Sequence, residues 1–516
     1  MSNAPHMLTA SQDFAKILAW LQPFAESAQL SSDSRSIMRG DVFFAYPGDG
    51  GDGRNYIARA IEQGAKAVVY EADGFMWDDT WNVPHLAVTA LKKNAGPIAN
   101  AYYGKPDAQM FSVAVTGTNG KTSCTQWLGH ALSTVVDPTV VIGTLGIGIF
   151  HSGDHEEFAV TGYTTPDAIL LQRKLAAARD AGAKALAIEA SSIGLDQGRL
   201  DGMHFDTALF TNFTRDHLDY HVDMASYEAA KARLFSWPGL RCAVINLDDE
   251  MGVRLAQNLK SNHPAMSILG YTVMGNSMDG VQVLRAAEIR SSHAGTAFQI
   301  ESPFGSAQVK TQLIGKFNVS NVLGVIGVLL SKGIAWRSVI EAVEALEAVP
   351  GRMQQLGGHE APLVVIDYAH TPDALEKTLA SLRQLSEERG GGLWCVFGCG
   401  GDRDPGKRAQ MGAASLAADH VIVTSDNPRS EKPEDIIEHI VAGMSTSTSK
   451  PPHLEILDRA AAILSAVKHA AKADVILLAG KGHETYQEIK GKKLPFLDAD
   501  HAALALASRV TMMGNS

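Results

Sequence analysis

The sequence predicts an α/β protein of three domains, each built around a sheet of mainly parallel strands. Two observations lead to this prediction. Short, fully apolar runs bounded by turn residues alternate with stretches of helical period, which is typical of strands buried on both faces of a parallel sheet. The 516 residues, of which 45% are hydrophobic, are also enough to close several separate cores.

The alternation of strands and helices falls into three blocks. Residues 1–108 carry short apolar runs between polar and glycine-rich stretches and predict a small N-terminal α/β domain. Residues 109–348 repeat strand and helix and predict a central domain, in which the alternating stretch 270–314 predicts antiparallel strands. Residues 349–516 begin at a Val-Pro-Gly-Arg boundary and predict a Rossmann-like C-terminal domain, with ligands beyond the carboxyl ends of its strands.

The composition excludes several classes of function. The formal net charge of −11 argues against nucleic acid or an anionic membrane as the main partner. Four cysteines in so long a chain are not a disulfide framework and favour a reducing compartment. No run approaches the ~18 apolar residues of a membrane helix, and the N-terminus lacks the pattern of a signal peptide. We therefore expect a cytoplasmic monomer that acts on small molecules, with no nucleic-acid or membrane partner.

The central block contains a candidate phosphate-binding loop, Thr-Gly-Thr-Asn-Gly-Lys-Thr at 116–122. It follows the apolar run 111–115 and opens a helical pattern, so backbone N–H groups and a helix N-terminus would face a phosphate. Lys121 is expected to reach the β- and γ-phosphates of ATP, and the Thr122 hydroxyl to bind Mg²⁺. A plain glycine-rich turn is the alternative, but Lys-Thr directly after Gly120 favours a P-loop ATPase-like domain. The predicted ATP-binding residues of the loop are Thr116, Gly117, Thr118, Asn119, Gly120, Lys121 and Thr122.

Two further features of this block could serve a metal. Glu189 ends the apolar run 185–189, where it could hold Mg²⁺ as the acid of a Walker B strand does; an N-cap or surface glutamate is the alternative. His217 and His221 are four residues apart, a spacing that would suggest zinc if they lay on a helix. No third ligand is nearby, however, and the expected Mg²⁺ prefers oxygen ligands.

The loop spacing G-x-x-G-K-T is compressed, because Val115 stands where the general pattern has its first glycine. In this form it resembles the loop of the Mur ligase family, whose members use ATP to make an acyl-phosphate that an amine then attacks. The same family is matched by "TNFTRDHLDYH" (211–221), "YEAAKARLF" (227–235), "GKFNVSN" (315–321), "GRMQ" (351–354) and "DYAHTPDAL" (367–375).

The resemblance implies roles for residues in these segments. His217 would lie beside Mg²⁺ and the acyl-phosphate, and Lys231 would carry a CO₂-derived carbamate that binds a second Mg²⁺. Taken alone, Lys231 would instead belong to a solvated helix face. Catalytic roles are implied for Lys121, Glu189, His217 and Lys231, and metal binding for Thr122, Glu189, His217 and carbamylated Lys231. Further ATP contacts are implied for Asn318, Asn321, Arg352, Asp367 and His370.

Within the family, the chain resembles the members that join a diamino acid to the D-Glu γ-carboxylate of UDP-N-acetylmuramoyl-L-Ala-D-Glu. "SSDSR" (31–35) and "GDGGDGR" (48–54) match the uridine-nucleotide site, and "TGYTTPD" (161–167) and "SSIGLDQGRL" (191–200) match the muramoyl-peptide site. Many relatives have Asn where this chain has Tyr163. The implied UDP-substrate contacts are Ser32, Ser34, Asp49, Gly50, Gly51, Thr164, Thr165, Ser191, Gln197 and Arg199.

The C-terminal block is expected to choose the amino acid. Its Asp-Asn-Pro-Arg at 426–429 resembles the version in members that add meso-diaminopimelate, although a polar turn before a helix is the alternative. Diaminopimelate differs from lysine by one distal carboxylate, and an arginine gains a charge-assisted pair worth ~1.5–3 kcal/mol only when that carboxylate is present. Glu484 would complement an ammonium group. The predicted diaminopimelate-binding residues are Arg403, Asp426, Asn427, Pro428, Arg429, Gly480 and Glu484.

Other functions stay open on the sequence alone. The same ligase chemistry could use L-lysine, or a folate or glutamate substrate, although the segment 31–35 disfavours the folate version. A P-loop regulatory or motor ATPase would hydrolyse ATP without any UDP-sugar peptide. A catalytically silent peptide-binding scaffold is disfavoured by Lys121, Thr122, Glu189 and Lys231.

Overall fold

The computed structural model describes residues 7–9, 14–48, 51–155, 158–292, 294–444 and 453–513. The chain divides into two compact units. The first unit comprises Met1–Thr116, Leu132–Ala208 and Ala230–Ala243, and the second comprises Gly117–Ala131, Leu209–Ala229 and Val244–Ser516. The boundaries of the three domains expected from the sequence stay a prediction.

Helices account for most of the connections between strands. The α-helices are α1 Phe14–Leu21, α2 Ile57–Glu62, α3 Leu91–Tyr102, α4 Lys121–Ser133, α5 Ala168–Asp180, α6 Ser192–Asp196, α7 Met224–Ala232, α8 Glu250–Asn262, α9 Lys316–Ser331, α10 Trp336–Glu344, α11 Pro372–Arg389, α12 Gly406–Ser415, α13 Pro433–Met444, α14 Arg459–His469 and α15 Asp498–Met513. None of the helices in the described ranges is long and apolar enough to cross a membrane.

The strands are mostly short. They are β1 Met7–Thr9, β2 Leu30–Ser31, β3 Val42–Ala45, β4 Pro47–Gly48, β5 Gly51–Asp52, β6 Ala67–Glu71, β7 His85–Thr89, β8 Phe111–Thr116, β9 Thr139–Gly143, β10 Gly146–His151, β11 Asp154–His155, β12 Ala185–Glu189, β13 Thr207–Phe210, β14 Cys242–Asn246, β15 Ser267–Thr272, β16 Gln282–Ser292, β17 Gly295–Ser302, β18 Gly305–Thr311, β19 Gln354–Gly357, β20 Leu363–Asp367, β21 Leu393–Phe397, β22 His420–Val423, β23 His453–Glu455, β24 Val475–Ala479, β25 Tyr486–Ile489 and β26 Lys492–Pro495.

The first unit begins with a parallel five-stranded sheet in the order β1-β7-β6-β3-β2. Strands β3 and β6 are buried at every position, as the apolar runs predict for strands covered on both faces. Further along the chain, β12 pairs in parallel with β9 on one side and β8 on the other. In this register Glu189 lies opposite Val115, the penultimate residue of the strand that leads into the loop 116–122.

The second unit contains the antiparallel strands predicted within 270–314. Strands β16, β17 and β18 form an antiparallel meander, and β15 pairs in parallel with β16. The C-terminal sheet has the order β19-β20-β24-β21-β22-β23 and is parallel except at the β19–β20 edge. Strands β20, β21 and β24 are fully buried, so the alternating strand–helix pattern predicted for this block is confirmed. The predicted diaminopimelate residues follow the carboxyl ends of β21, β22 and β24.

Candidate active site

The backbone of the loop 116–122 has the shape that close approach to a phosphate requires. Gly117 and Gly120 have φ angles of 148° and 87°, which L side chains rarely adopt. A Cβ at Gly117 would overlap Thr211 Oγ1, and one at Gly120 would lie 2.6 Å from Asn321 Oδ1. Helix α4 begins at Lys121, so its first N–H groups and its dipole lie where an anion binds well.

The segment 211–214 holds the loop in place. Asn119 N–H donates to Asn212 Oδ1 at 2.9 Å, and Thr211 Oγ1 donates to the Asn119 carbonyl at 2.6 Å. Thr118 Oγ1 donates to the Thr214 carbonyl at 3.1 Å and accepts from the Thr214 N–H at 3.0 Å. These bonds connect the loop to three residues of the segment 211–214.

The side chains of Lys121 and Arg352 form hydrogen bonds with atoms of the loop 116–122 itself. Lys121 Nζ donates to the carbonyls of Gly117 and Thr118, each at 2.9 Å. Arg352 donates to Thr122 Oγ1 at 3.0 Å, and its guanidinium lies 4.4 Å from the centre of the Tyr368 ring. Two predicted ATP residues, Arg352 and Thr122, are therefore in direct contact.

A cavity of about 450 Å³ adjoins the loop, a volume in the range of small-molecule sites. Its lining brings together predicted ATP residues from four separate segments: Asn119, Gly120, Asn318, Asn321, Arg352 and Asp367. The sequence analysis did not single out Asn212, Asp249, Phe317 and Lys377, which also line the cavity. Asn212 and Phe317 lie inside the segments 211–221 and 315–321 that resemble the family, so they could have been predicted from the sequence.

Asp367 is buried at the end of β20 and supports the turn that carries Arg352. Its carboxylate accepts the Met353 N–H at 2.8 Å, and Met353 adopts a left-handed φ of 53°. Burial raises the pKa of Asp367, an effect that Arg352 and the backbone bond oppose. Asp367 therefore supports the backbone next to Arg352.

His217 and His370 flank a buried carboxylate, Asp216. The Nε2 atoms of the two imidazoles lie 3.6 and 3.8 Å from Asp216 Oδ2. Burial works against the charged form, but His217 and other neighbouring cationic groups outweigh it and lower the pKa of Asp216. Burial lowers the pKa of His370, whose Nδ1 lies 2.8 Å from the Tyr368 carbonyl. Asp216 was missed, although it directly precedes the predicted His217.

The helix on which the zinc alternative depended is not present at His217 and His221. Residues 218–220 form a turn and His221 lies in a bend, and helix α7 begins only at Met224. Among the residues described, no cluster of three or more His, Cys, Asp or Glu side chains is arranged to hold a metal ion.

In the first unit, Glu189 is 1% exposed and is held by neutral donors. Its carboxylate accepts the Thr144 N–H at 2.8 Å and the Thr144 hydroxyl at 3.1 Å. Thr165 Oγ1 donates to the Glu189 carbonyl at 2.9 Å. Gly143 makes room for this arrangement, because a Cβ there would overlap the carboxylate. Thr144 was missed because it follows β9, 45 residues before the side chain it binds.

Several predicted UDP-substrate residues lie around Glu189. Thr164 Oγ1 is 3.2 Å from Thr144 Oγ1, and Thr165 Oγ1 is 2.9 Å from Ser191 Oγ. Arg199 donates to the Thr165 carbonyl and to Gln197 Oε1, both at 2.8 Å. The structure thus brings together the predicted residues Thr164, Thr165, Ser191, Gln197 and Arg199.

The structure describes three of the five residues predicted to contact the uridine nucleotide. Ser32 donates to Asp167 at 2.9 Å, and Asp167 also caps α5. Ser34 is buried in a 3₁₀ turn, and Gly51 lies in the short β4–β5 pair with φ 149°. Asp49 and Gly50 lie outside the described residues.

Lys231 lies near the end of α7 and is only 1% exposed. The solvated helix face that the residue pattern alone favours is therefore wrong for this position.

The predicted diaminopimelate residues divide into two groups. Asn427 donates to Glu484 at 2.7 Å, and Asp426 approaches Gly480, where a Cβ would lie 2.6 Å from its Oδ2.

Arg429 has a φ of 51° and donates to the Gly401 carbonyl at 2.7 Å, while the Pro428 carbonyl accepts the Glu431 N–H. Arg403 instead pairs with Asp219 at 3.2 Å. The buried Lys481, which contacts Asn427 and Glu484, was missed.

A glycine-shaped loop between a parallel strand and a helix, beside a nucleoside-sized cavity, defines a P-loop type of nucleotide-binding α/β protein. Three family models match the chain and identify one family within this class. The Mur ligase catalytic domain matches residues 27–103, the Mur ligase middle domain 115–329, and the Mur ligase glutamate ligase domain 351–482. Together with the relatives that follow, these matches show that the chain belongs to the Mur ligase family.

Several relatives carry the name UDP-N-acetylmuramoyl-L-alanyl-D-glutamate--2,6-diaminopimelate ligase. The protein of Janthinobacterium sp. (strain Marseille) is 68% identical, covering 97% of this chain and 98% of that protein. The protein of Ralstonia nicotianae (strain ATCC BAA-1114 / GMI1000) is 50% identical, covering 96% of each. A solved structure with the same name has a TM-score of 0.65 at 36% identity, covering 93% of this chain and 95% of that one. The predicted α/β fold of three Mur ligase domains is confirmed.

Proposed function

We propose that the chain is an ATP-dependent ligase that adds meso-2,6-diaminopimelate to the D-Glu γ-carboxylate of UDP-N-acetylmuramoyl-L-Ala-D-Glu in peptidoglycan precursor synthesis. The products are the UDP-tripeptide, ADP and phosphate. The observation that carries the proposal is near-full-length identity of 68% to a protein named for this activity. The loop geometry around Gly117 and Gly120 agrees with the nucleotide half of the reaction.

The reaction proceeds in two chemical steps. A γ-carboxylate oxygen of D-Glu attacks the γ-phosphorus of ATP, ADP leaves, and an acyl-phosphate forms. The diaminopimelate amine then attacks the acyl carbon, phosphate leaves, and the nitrogen loses a proton to complete the amide. We assign Lys121 and the N–H groups at the start of α4 the role of preorganised donors that stabilise the negative charge on the phosphates. Arg352 is assigned to the nucleotide through its contact with Thr122.

Mg²⁺ and ATP belong to the chemistry of this family. The oxygen donors of Thr122 and of Glu189 each fit the preference of Mg²⁺, and the imidazole of His217 is assigned as a further ligand. Bound Mg²⁺ would neutralise charge on the phosphates. A carbamate on Lys231 would add a further oxygen ligand, and the burial of Lys231 supports that assignment. We also assign the cytoplasm as the location and a monomer as the working state.

Phosphate release tests the function. ATP, Mg²⁺ and the UDP-dipeptide are supplied with meso-diaminopimelate and, in parallel, with L-lysine. Release that needs both the UDP-dipeptide and diaminopimelate is the expected result. Release with lysine in place of diaminopimelate would keep the ligase but contradict the acceptor. Release without the UDP-dipeptide would favour a P-loop ATPase instead.

A further inference from the structure

The loop that follows β24 contains a buried lysine whose donors are all used inside the protein. Lys481 is 0% exposed. Its Nζ donates to Asn427 Oδ1 at 3.1 Å, to Glu484 Oε2 at 2.9 Å and to the Tyr486 carbonyl at 2.7 Å. An ammonium group has three donors, so none is left for a substrate.

These bonds fix the orientation of two side chains assigned to the acceptor amino acid. Asn427 Oδ1 accepts from Lys481 and from the Glu488 N–H at 2.9 Å, which directs the amide Nδ2 to Glu484 Oε2 at 2.7 Å. Glu484 Oε2 therefore receives two donors, while Oε1 lies 3.5 Å from the Tyr368 hydroxyl. The orientation of Asn427 and the rotamer of Glu484 are both set by contacts that include Lys481.

A second buried cation anchors the same loop independently. Arg459 pairs with Asp498 at 2.6 Å, both side chains being fully buried, and donates to the Ala479 carbonyl at 3.0 Å. The start of the loop is therefore held without Lys481. Loss of Lys481 would chiefly release the side chains of Asn427 and Glu484 rather than the backbone.

We propose that Lys481 is a positioning residue for the acceptor amino acid, which orients Asn427 and Glu484 and so sets the KM for the acceptor. The inference rests on the proposed function, because it takes the acceptor roles of Asn427 and Glu484 from it. Lys481 touches no substrate in this scheme. Its effect is confined to the second chemical step, since the acyl-phosphate forms before the amine is needed.

The test separates the two steps in the full-length protein. Lys481→Met removes the donors and the charge, and Lys481→Gln keeps a donor without the charge. Lys472→Met is the matched control, because Lys472 is an exposed lysine paired with Glu360 at 2.5 Å. For each protein, kcat and the three KM values are measured for ligation. In a second assay hydroxylamine replaces diaminopimelate and captures the acyl-phosphate as a hydroxamate, with release of phosphate.

Both Lys481 variants are expected to raise the acceptor KM at least about tenfold, with hydroxamate formation and the KM values for ATP and the UDP-dipeptide changed less than about threefold. Lys472→Met should match the wild type in both assays. Equal losses of ligation and hydroxamate formation in both Lys481 variants, or an unchanged acceptor KM, would overturn the proposal. A wild-type protein that makes no hydroxamate would instead contradict the proposed function, and the inference would fail with it.

Discussion

Glu189 and Glu484 occupy comparable places in two different sheets but have different neighbours. Glu189 ends β12, and Glu484 lies five residues after the end of β24. The carboxylate of Glu189 accepts from the amide and hydroxyl of Thr144, which carry no charge. The carboxylate of Glu484 accepts from the ammonium of Lys481 and the amide of Asn427.

The difference between the two environments fits the two different roles proposed for these glutamates. The neutral donors of Thr144 orient the Glu189 carboxylate but add no positive charge to balance it. A carboxylate in this environment is suited to bind a cation. At Glu484 a buried ammonium balances the charge within the protein, so that the carboxylate is held in one geometry before a substrate amine arrives. The first arrangement favours metal binding, and the second favours recognition of an amino acid.

The largest effect is expected from Glu189→Gln. The amide oxygen can still accept from Thr144, so the fold should survive, but the negative charge is lost. We expect phosphate release to fall by about 10²–10³-fold, the scale seen when one preorganised electrostatic group is removed. The measurement is phosphate release over a Mg²⁺ titration, with thermal unfolding as the check on folding. Activity close to that of the wild type would contradict the proposal that Glu189 binds Mg²⁺.

The space beside Glu189 can be tested without changing its charge. A Cβ at Gly143 would overlap the Glu189 carboxylate, whereas at Gly392 it would lie 3.5 Å from Asp419 Oδ2, an ordinary contact. Gly143→Ala should therefore displace the carboxylate and lower activity ~10–100-fold, with a loss of stability of about 1–3 kcal/mol from overpacking. Gly392→Ala is the control in the same assays. If both variants behave alike, close packing at Gly143 is not what positions Glu189.

The region of Glu484 should respond to pH because of its neighbour His483. Burial, Arg352 and Lys481 lower the pKa of His483 from 6.5 to about 3. Between these values the unfolded chain binds more protons than the folded one, so stability is lost as pH falls below 6.5 and recovers as pH rises. Urea unfolding should show a loss of about 1–2 kcal/mol from His483 between pH 7 and pH 5.

Two variants isolate this effect. His483→Gln should flatten the decline in stability between pH 7 and pH 5, and His469→Gln, which alters an exposed histidine on α14, should leave it unchanged. An unaltered decline in the His483 variant would show that other groups control the acid response. It would also weaken the contrast with Glu189, whose donors from Thr144 do not titrate.

The sequence predicts those features of the two regions that depend on local pattern. The runs 111–115 and 185–189 are strands because both faces are buried, and their pairing follows from the strand–helix alternation. The contacts from Thr144 to Glu189 and from Lys481 to Asn427 span 45 and 54 residues, and nothing local marks them. Lys231 shows the same limit, because an amphipathic pattern does not reveal which polar residue the fold will bury.

The smallest effect is expected at Tyr163. Its ring is 63% exposed and lies 4.9 Å from the Arg199 guanidinium, which also donates to the Thr165 carbonyl. An exposed cation–π contact is worth about 0.5–1 kcal/mol, so Tyr163→Asn should raise the KM for the UDP-dipeptide about two- to fivefold with kcat unchanged. Tyr163→Phe keeps the ring and should match the wild type. A rise in KM with Phe as large as that with Asn would assign the effect to the hydroxyl, and Arg199 would then be held by Thr165 and Gln197 alone.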